Sequence, residues 1–166
     1  MSKIEKIMLG AGCFWGVEYR FKNLKGVVKT IVGYSGGSEK FKNPSYEEVC
    51  SNKTGHAEVV YIEYDTNLID LKTILDVFWR IHDPTTKDMQ WPDVGNQYRS
   101  AIYYFEENQK KIINNSIKEL KKLIPKKIVS EIKKASEFYE AEEYHQDYVK
   151  KHGTNSCHFG LNPYLK

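Results

Sequence analysis

Hydrophobic residues along the chain change their spacing several times, and these changes predict where strands and helices begin and end. Runs that are β-branched, or that alternate between apolar and polar residues, predict strands bounded by glycine, proline or small polar residues. The predicted strands are 6–9, 27–34, 56–64, 100–105 and 128–132.

Apolar residues spaced three and four positions apart predict helices between these strands. The clearest stripe runs from Phe14 to Leu24 and ends at Gly26, and Ser45 is the expected N-cap of a shorter helix. The predicted helices are 14–24, one or two turns within 44–50, 71–82, the lysine-rich stretch within 110–127 and a tail helix over roughly 140–151.

Strands and helices that alternate in this way predict an α/β or α+β sandwich, in which helices pack on one sheet. The order of the strands does not follow from the pattern. At 166 residues the chain has the length of a single domain, without a repeat or linker. The segment 83–99 lacks periodicity and is long for a structureless connection, which favours a functional role for it.

Charge and composition are ordinary for a globular protein and argue against several classes. The formal net charge is +3, and most of the lysine excess lies on the polar side of the helix within 110–127. That arrangement is typical of a solvated helix face, so nucleic acid is not an expected partner. The sequence has no targeting signal and no apolar run of membrane-spanning length, so we expect a cytoplasmic protein without a membrane partner.

The chain has three cysteines, Cys13, Cys50 and Cys157, at wide spacing. They form neither a C-x-x-C motif nor a Cys/His cluster with zinc spacing. Cytoplasmic thiols are kept reduced, so we predict no structural disulfide, no metal and no cofactor.

Cys13 is the first candidate for chemistry because it lies where the first predicted helix begins. Unpaired amides and the helix dipole favour a negative charge there, which predicts a lowered thiol pKa and a reactive thiolate. Gly12 leaves the backbone free to turn tightly and exposes the sulfur. The competing interpretation is a cysteine buried for packing.

The roles of three further candidate site residues depend on which face of their helix or strand is buried. Phe14 belongs to the apolar stripe of the helix, whereas Trp15 lies off it and suits the wall of an apolar pocket. Glu58 shares one face of its strand with Val60 and Ile62, and either face fits the core. On the buried face it would stay protonated and act as a hydrogen-bond donor or general acid; on the other it would be a solvated carboxylate.

Weaker candidates lie in segments with little periodicity, where binding residues are often found. Tyr46, Asp93 and Tyr98 belong to this group, and His145 is a possible base for a Cys–His pair. Cys157 lies on a glycine-containing tail after the last helix, where a resolving cysteine could reach a sulfenic acid. Cys50 fits a structural role.

Seven blocks of the chain resemble, in order, the conserved motifs of the A-type peptide methionine sulfoxide reductases. They cover nearly the whole chain, and together they are far more specific than any one of them. The blocks are GCFWG (12–16), VGYSGG (32–37), NPSYEEVC (43–50), TGHAE (54–58), FWRIHDPTT (78–86), DVGNQYRS (93–100) and YHQDY (144–148).

The resemblance implies an α+β fold, a two-layer ferredoxin-like sandwich with helices on a mixed sheet. It implies reduction of methionine-S-sulfoxide, in proteins or as the free amino acid, to methionine. Cys13 would attack the sulfoxide sulfur and become a sulfenic acid. Phe14 and Trp15 would hold the substrate methyl group, and protonated Glu58 would donate to the sulfoxide oxygen.

Further roles follow from the same resemblance. Tyr46 and Tyr98 would bind the sulfoxide oxygen, and Asp93 and His145 would position the substrate backbone. Cys157 would resolve the sulfenic acid as a disulfide, which thioredoxin would reduce. Its surroundings, TNSCHFG at 154–160, depart from the glycine- and tyrosine-rich context usual in the family.

We expect one catalytic domain over 1–166, monomeric, with a flexible tail over about 152–166 that carries the resolving cysteine. Two other functions remain open at the level of sequence. A cysteine hydrolase would use Cys13 with His145 and would have no need of Cys157. An inactive module that binds methionine-rich surfaces would leave Cys13 slow toward alkylating reagents.

Overall fold

The computed structural model describes residues 3–165, and its central feature is a six-stranded sheet. The strands in chain order are β1 (Ile4–Ala11), β2 (Val27–Ser35), β3 (Ala57–Asp65), β4 (Met89–Gln90), β5 (Asp93–Val94), β6 (Ser100–Tyr104), β7 (Glu131–Lys134) and β8 (Tyr139–Glu140). β4 and β5 pair with each other and the remaining strands form the main sheet.

The helices pack on this sheet or follow it in the tail. They are α1 (Phe14–Lys22), α2 (Tyr46–Cys50), α3 (Leu71–Arg80), α4 (Glu107–Leu120) and α5 (Tyr148–His152), with single 3-10 turns at Asn96–Tyr98, Glu143–His145 and Thr154–Ser156. The predicted N-cap at Ser45 is confirmed, since its side chain accepts from the N–H of Glu48 at 3.1 Å. No helix within residues 3–165 has the length and apolar character needed to cross a bilayer.

The main sheet has the strand order β7-β6-β1-β3-β2-β8. Its four central strands belong to the unit β1-α1-β2-β3-α3-β6, whose strands lie in the order fourth, first, third, second; this is the ferredoxin-like arrangement. The central pairs are antiparallel, whereas β6 and β7 run parallel, so the sheet is mixed. The predicted α+β fold is confirmed.

The two faces of the sheet bury different amounts of apolar surface. Alternate residues such as Ile7 and Leu9 of β1, and Val60 and Ile62 of β3, point toward α1, α3 and α4 and form the main core. The intervening residues, with Met8 as their centre on β1, form a smaller cluster on the opposite face. Glu58 lies on the helix-covered face, at the start of β3 and next to the start of α1.

The predicted tail helix over roughly 140–151 is wrong in its first half. β8 pairs with β2, and Ala141 donates its N–H to the Val32 carbonyl at 3.0 Å. Gln146 then bonds the same residue with its side chain, accepting from the Val32 N–H at 3.0 Å and donating to its carbonyl at 2.9 Å. Bonds to the sheet edge therefore replace intrahelical bonds. α5 begins only after Asp147, which has a φ of 54°.

The last predicted strand, 128–132, is displaced by three residues to β7. The parallel pairing with β6 runs from Glu131 to Lys134. The residues before it are committed elsewhere: Val129 donates to the Pro84 carbonyl at 2.8 Å, and the hydroxyls of Ser130 and Ser100 are 2.6 Å apart. These bonds fasten the end of α3 and the segment after it to the sheet.

The aperiodic segment 83–99 is ordered by its own polar side chains. Gln90 accepts from the N–H of Asp83 at 2.9 Å and donates to its carbonyl at 2.6 Å, which closes a loop of eight residues. The short β4–β5 hairpin and the 3-10 turn at Asn96–Tyr98 follow. Segment 83–99 therefore forms a fixed wall beside the end of β1.

His82 fastens this wall to the core and is fully buried. Its Nδ1 contacts the Phe78 carbonyl at 2.6 Å, and its Nε2 contacts the Ser100 hydroxyl at 2.7 Å. Since the carbonyl only accepts, Nδ1 carries the proton and Nε2 accepts from Ser100. Burial is the main reason that the pKa of His82 is lowered to about 4.

We expect His82 to make stability fall on acidification. The unfolded chain binds a proton near pH 6.5 and the folded one only near pH 4, so the contribution of His82 is complete above pH 6.5 and is lost as pH falls toward 4. The loss should approach about 3 kcal/mol. Unfolding free energies of the wild type and His82→Gln between pH 4 and 7 give the slope due to His82, with exposed His152→Gln as control.

An NMR titration of the wild type provides the check if His82→Gln does not fold. The imidazole of His82 should remain neutral down to about pH 4. Protonation near pH 6.5 would contradict the prediction.

Candidate active site

Cys13 is the N-cap residue of α1, directly after β1 and Gly12. Gly12 has a φ of 95°, which residues with side chains rarely adopt, and a Cβ there would lie 2.9 Å from Cβ of Gln90. Glycine therefore lets the chain turn closely over Gln90, which Asp83 holds in place. The thiol lies at the N-terminus of the helix, where its sequence context predicted it.

The side chains of Cys13 and Cys157 form a hydrogen bond with each other, and both thiols are free. Both sulfurs also contact the first turn of α1, Cys13 through the N–H of Trp15 and Cys157 through the N–H of Gly16. A Cβ on Gly16 would lie 3.0 Å from Sγ of Cys157. Glycine at this position therefore makes room for the second thiol.

The predicted lowering of the Cys13 pKa is wrong for this arrangement. The hydrogen bond with Cys157, burial and the nearby Glu58 raise the pKa of Cys13, and only the Trp15 N–H opposes them. The pKa of Cys157 is lowered instead, chiefly by the hydrogen bond with Cys13. The two pKa shifts are opposite in direction, so Cys157 gives up a proton more readily than Cys13, and the amides at the start of α1 favour negative charge on Cys157.

Two states were predicted for Glu58, a buried protonated acid and a solvated carboxylate. The side chain is only 1% exposed, so the first applies. Its Oε1 accepts from the N–H of Phe14 at 3.2 Å, whereas Oε2 is buried and has no hydrogen-bond partner among residues 3–165. Burial raises the pKa of Glu58 to about 8, although the Phe14 N–H opposes it. At neutral pH the side chain is therefore a carboxylic acid that can donate from Oε2.

Tyr46 and Tyr98 bring two hydroxyls near Glu58, and these hydroxyls hydrogen-bond each other. Burial, followed by the charge of Glu58, raises the pKa of both phenols, so both remain protonated donors. Glu142 fixes the start of α2 by accepting from the Tyr46 N–H at 3.1 Å. Cys50, which fitted a structural role, contacts the Tyr46 hydroxyl, and burial raises its pKa.

Aromatic rings cover the other side of the first turn of α1. Trp15 stacks on Tyr148 with ring centroids 3.7 Å apart and planes 8° from parallel, and its Nε1 donates to Nδ1 of His145 at 2.9 Å. Phe14 is fully buried against Tyr34 and His145. The indole of Trp15 is thereby held in one orientation, as the wall of an apolar pocket requires.

Asp93 and Cys13 line the same depression, which lies beside the tail. Burial raises the pKa of Asp93, and nearby His158 lowers it. The lining of this depression combines β1, α1, segment 83–99 and the tail: Ala11, Gly12, Cys13, Gly16, Val17, Arg20, Ile81, Gln90, Trp91, Asp93, His158, Phe159 and Gly160. Among residues 3–165, no group of three or more His, Cys, Asp or Glu side chains has metal-binding geometry.

The structure thus places most of the sequence-predicted residues around one point, the start of α1. His145 differs from the expectation for a hydrolase base: its Nδ1 accepts from Trp15, and Cys13 has Cys157 as its hydrogen-bonding partner. Sequence reasoning missed several supporting residues, because nothing local marks their distant contacts. They are Arg20 next to Cys157, Gln90 beneath Gly12, Glu142 at α2 and Tyr148 on Trp15.

Comparison with known proteins identifies the family. A family model described as peptide methionine sulfoxide reductase matches residues 5–166. The peptide methionine sulfoxide reductase MsrA of Methanosarcina mazei is 54% identical over 152 residues, which are 90% of this chain and 71% of that protein.

Solved structures agree with the sequence comparison. Mxr1 from Saccharomyces cerevisiae in reduced form superposes with a TM-score of 0.89 at 35% identity, covering 96% of this chain and 93% of Mxr1. Mxr1 in complex with Trx2 superposes with a TM-score of 0.65 at 27% identity, covering 96% and 91%. The chain therefore belongs to the family of peptide methionine sulfoxide reductases.

Proposed function

We propose that this protein reduces the S epimer of methionine sulfoxide to methionine, with Cys13 as nucleophile and Glu58 as acid. The observation that carries the proposal is the unpartnered Oε2 of Glu58, on a buried side chain whose Oε1 is bonded to the residue after Cys13. A protonated acid with one free oxygen beside a thiol is suited to a substrate whose sulfur is electrophilic and whose oxygen accepts.

The pair of thiols supplies the nucleophile. Because the pKa of Cys157 is the lowered one, Cys157 ionises first and then accepts the Cys13 proton, which leaves a thiolate on Cys13 under the Trp15 N–H. This thiolate attacks the sulfoxide sulfur while Glu58 protonates the oxygen. The attack forms a transient S–S bond between Cys13 and the substrate. This bond and the S–O bond of the substrate break as the hydroxyl passes to Cys13, where a new S–O bond forms, so substrate sulfur gains the two electrons that Cys13 loses. Methionine leaves, Cys13 is a sulfenic acid, and Glu58 regains its proton from solvent.

The shape of the site gives the stereochemical preference. Tyr46 and Tyr98 add donors beside Glu58, so the oxygen has one polar place to lie. The methyl group needs the apolar wall of Phe14 and Trp15, and Asp93 and His145 remain candidates for contacts with the substrate backbone. Only one arrangement around the chiral sulfur satisfies donors and wall together, and the family assignment favours the S epimer for it.

Resolution requires the second thiol. The sulfur of Cys157 attacks Cys13, an S–S bond forms, the S–OH bond breaks, and the hydroxide leaves as water with the proton that Cys157 had taken. The hydrogen bond between the two thiols supports this step. The structure of Mxr1 with Trx2 supports thioredoxin as the reductant of the disulfide.

The proposal also covers the organisation of the chain and the compartment in which it works. Residues 1–166 would act as a single catalytic domain and as a monomer, and mobility of the tail over about 152–166 stays a prediction. A reducing compartment such as the cytoplasm suits a chain whose three cysteines are free. Free and protein-bound methionine sulfoxide both remain candidate substrates.

We expect the enzyme to consume one epimer only. An epimeric mixture of blocked methionine sulfoxide, incubated with enzyme and dithiothreitol, should lose the S epimer while the R epimer remains, as followed by chiral chromatography. Consumption of both epimers would contradict the proposed pocket. If neither were consumed, the proposed chemistry would be wrong, and hydrolysis of esters or binding of sulfoxide peptides would be tested instead.

A further inference from the structure

The tail that carries Cys157 is fastened to α1 by Arg20. The guanidinium of Arg20 donates through Nη1 to the carbonyl of Gly160 at 2.6 Å. Its Cζ lies 5.1 Å from the ring centroid of Phe159, within the range of a cation–π contact. Gly160 and Phe159 follow Cys157 closely, so Arg20 holds this part of the tail on α1. Asn162 anchors the tail further along by donating to the Trp79 and Arg80 carbonyls at 2.7 and 3.0 Å.

The same guanidinium is close enough to Cys157 for its charge to act on the sulfur. Arg20 lies one helical turn beyond Gly16, whose N–H faces that sulfur. Asp93 from β5 opposes this effect, because its charge destabilises a negative sulfur on Cys157. Glu58 would add to that repulsion once it ionises, since its charge and that of Cys157 are of the same sign. The positive charge of Arg20 lowers the pKa of Cys157 and so offsets the effect of these carboxyl groups.

We propose that Arg20 is a positioning residue for the resolving step: it holds the tail against Cys13 and stabilises the negative charge that develops on Cys157 as its proton passes to the leaving hydroxide. The inference rests on the proposed function and adds to it a residue that serves the second half-reaction, after methionine has been formed. In that step the sulfur of Cys157 displaces hydroxide from the Cys13 sulfenic acid, and the new S–S bond replaces the S–OH bond.

The chemistry of the side chain fits the role. A planar guanidinium can donate to the Gly160 carbonyl, lie over the Phe159 ring and keep its charge at any working pH. A lysine ammonium keeps the charge but lacks the planar fork. Glutamine can donate one bond without the charge. The two substitutions therefore separate anchoring of the tail from stabilisation of the thiolate.

The experiment is a single turnover without reductant. Reduced wild type, Arg20→Gln, Arg20→Lys and the control Lys25→Gln, which removes an exposed charge beyond α1, are mixed with excess methionine sulfoxide. Methionine is quantified with time, the sulfenic acid is trapped with dimedone, and the disulfide is measured by mass spectrometry. The methionine burst tests the proposed function, and the lifetime of the sulfenic acid tests Arg20.

We expect the sulfenic acid of Arg20→Gln to persist at least about 10-fold longer than that of the wild type. Methionine release should slow by a clearly smaller factor, since Cys157 also accepts the Cys13 proton in the first step. Arg20→Lys should lie between the two, and Lys25→Gln should match the wild type. A sulfenic acid that Arg20→Gln resolves at the wild-type rate would overturn the inference. Equal slowing of both steps would also overturn it, since that indicates a general structural role.

A pH profile provides a readout that a structural role would not move. Alkylation of Cys157 by iodoacetamide, assigned by peptide mass spectrometry, should reach its midpoint at higher pH in Arg20→Gln than in the wild type or Arg20→Lys. The profile also reflects Cys13, Glu58, Asp93 and His158, which are unchanged in these variants. An unchanged midpoint in Arg20→Gln would overturn the electrostatic part of the inference.

Discussion

Replacing Cys13 by serine is expected to reduce turnover of methionine sulfoxide by at least about 10⁴-fold, the scale of losing a catalytic nucleophile. A hydroxyl under the Trp15 N–H can still occupy the N-cap position, so the fold should be retained. It cannot supply an ionised, polarisable nucleophile at neutral pH, nor can it hold the oxygen that the substrate loses. The measurement is methionine released per enzyme, with and without dithiothreitol.

Cys157→Ser is the matched comparison, because it removes the other sulfur of the pair. Without a reductant this variant should still release about one methionine per enzyme and then stop, with a sulfenic acid on Cys13. Without Cys157 to accept the Cys13 proton, this first release of methionine should also be slower. Sustained turnover by Cys13→Ser, or a methionine burst equal to that of Cys157→Ser, would contradict the role of Cys13 as the attacking thiol.

Much of the fold could be predicted, because the central elements have strong internal periodicity. β3 buries alternate residues and α3 buries helically spaced residues in the same core, so the apolar pattern within each element predicts its structure without knowledge of the element that covers it. The edges behave differently. The segment 140–146 was predicted to be helical, yet its residues form hydrogen bonds with the edge of β2, including the N–H and carbonyl of Val32. The local sequence pattern cannot reveal hydrogen-bonding groups that a distant strand provides.

The candidate site likewise has features that follow from the local sequence and features that depend on distant residues. Gly12, Cys13 and the start of α1 are adjacent in sequence, so their geometry follows from the motif. The sign of the Cys13 pKa shift does not, because it depends on Cys157, which lies 144 positions later in the sequence and meets it only in the fold. Arg20 is missed for the same reason: its partners are Phe159 and Gly160, and within α1 it looks like any charged helix residue.

Glu58→Gln is expected to lower turnover by roughly 10² to 10⁴-fold, the range for loss of a positioned general acid. Glutamine keeps the size of the side chain, can accept from the Phe14 N–H and can donate a hydrogen bond. It cannot transfer a proton to the oxygen as the S–O bond breaks. Binding of sulfoxide should therefore change much less than kcat, so comparison of kcat with KM separates proton transfer from simple recognition.

The pH dependence gives an independent test. Glu58 must be protonated to act, so its contribution to turnover should fall as pH rises through about 8. The pH profile of Glu58→Gln should lack that alkaline limb, at its lower level of activity. A variant that keeps the same alkaline limb would assign it to another group, such as a thiol, and would contradict the proposed acid.

Stability provides a second readout of the same proton. A carboxyl whose pKa is raised from 4.5 to about 8 on folding stabilises the fold fully below pH 4.5, and the contribution is lost as pH rises toward 8. The loss should reach roughly 4 kcal/mol at pH 8 and be absent in Glu58→Gln. Between pH 4.5 and 6.5 this slope opposes that of His82, so each must be read against its own variant. If the wild type and Glu58→Gln showed the same pH dependence of unfolding, Glu58 would be ionised in the fold, and the acid step would need another donor.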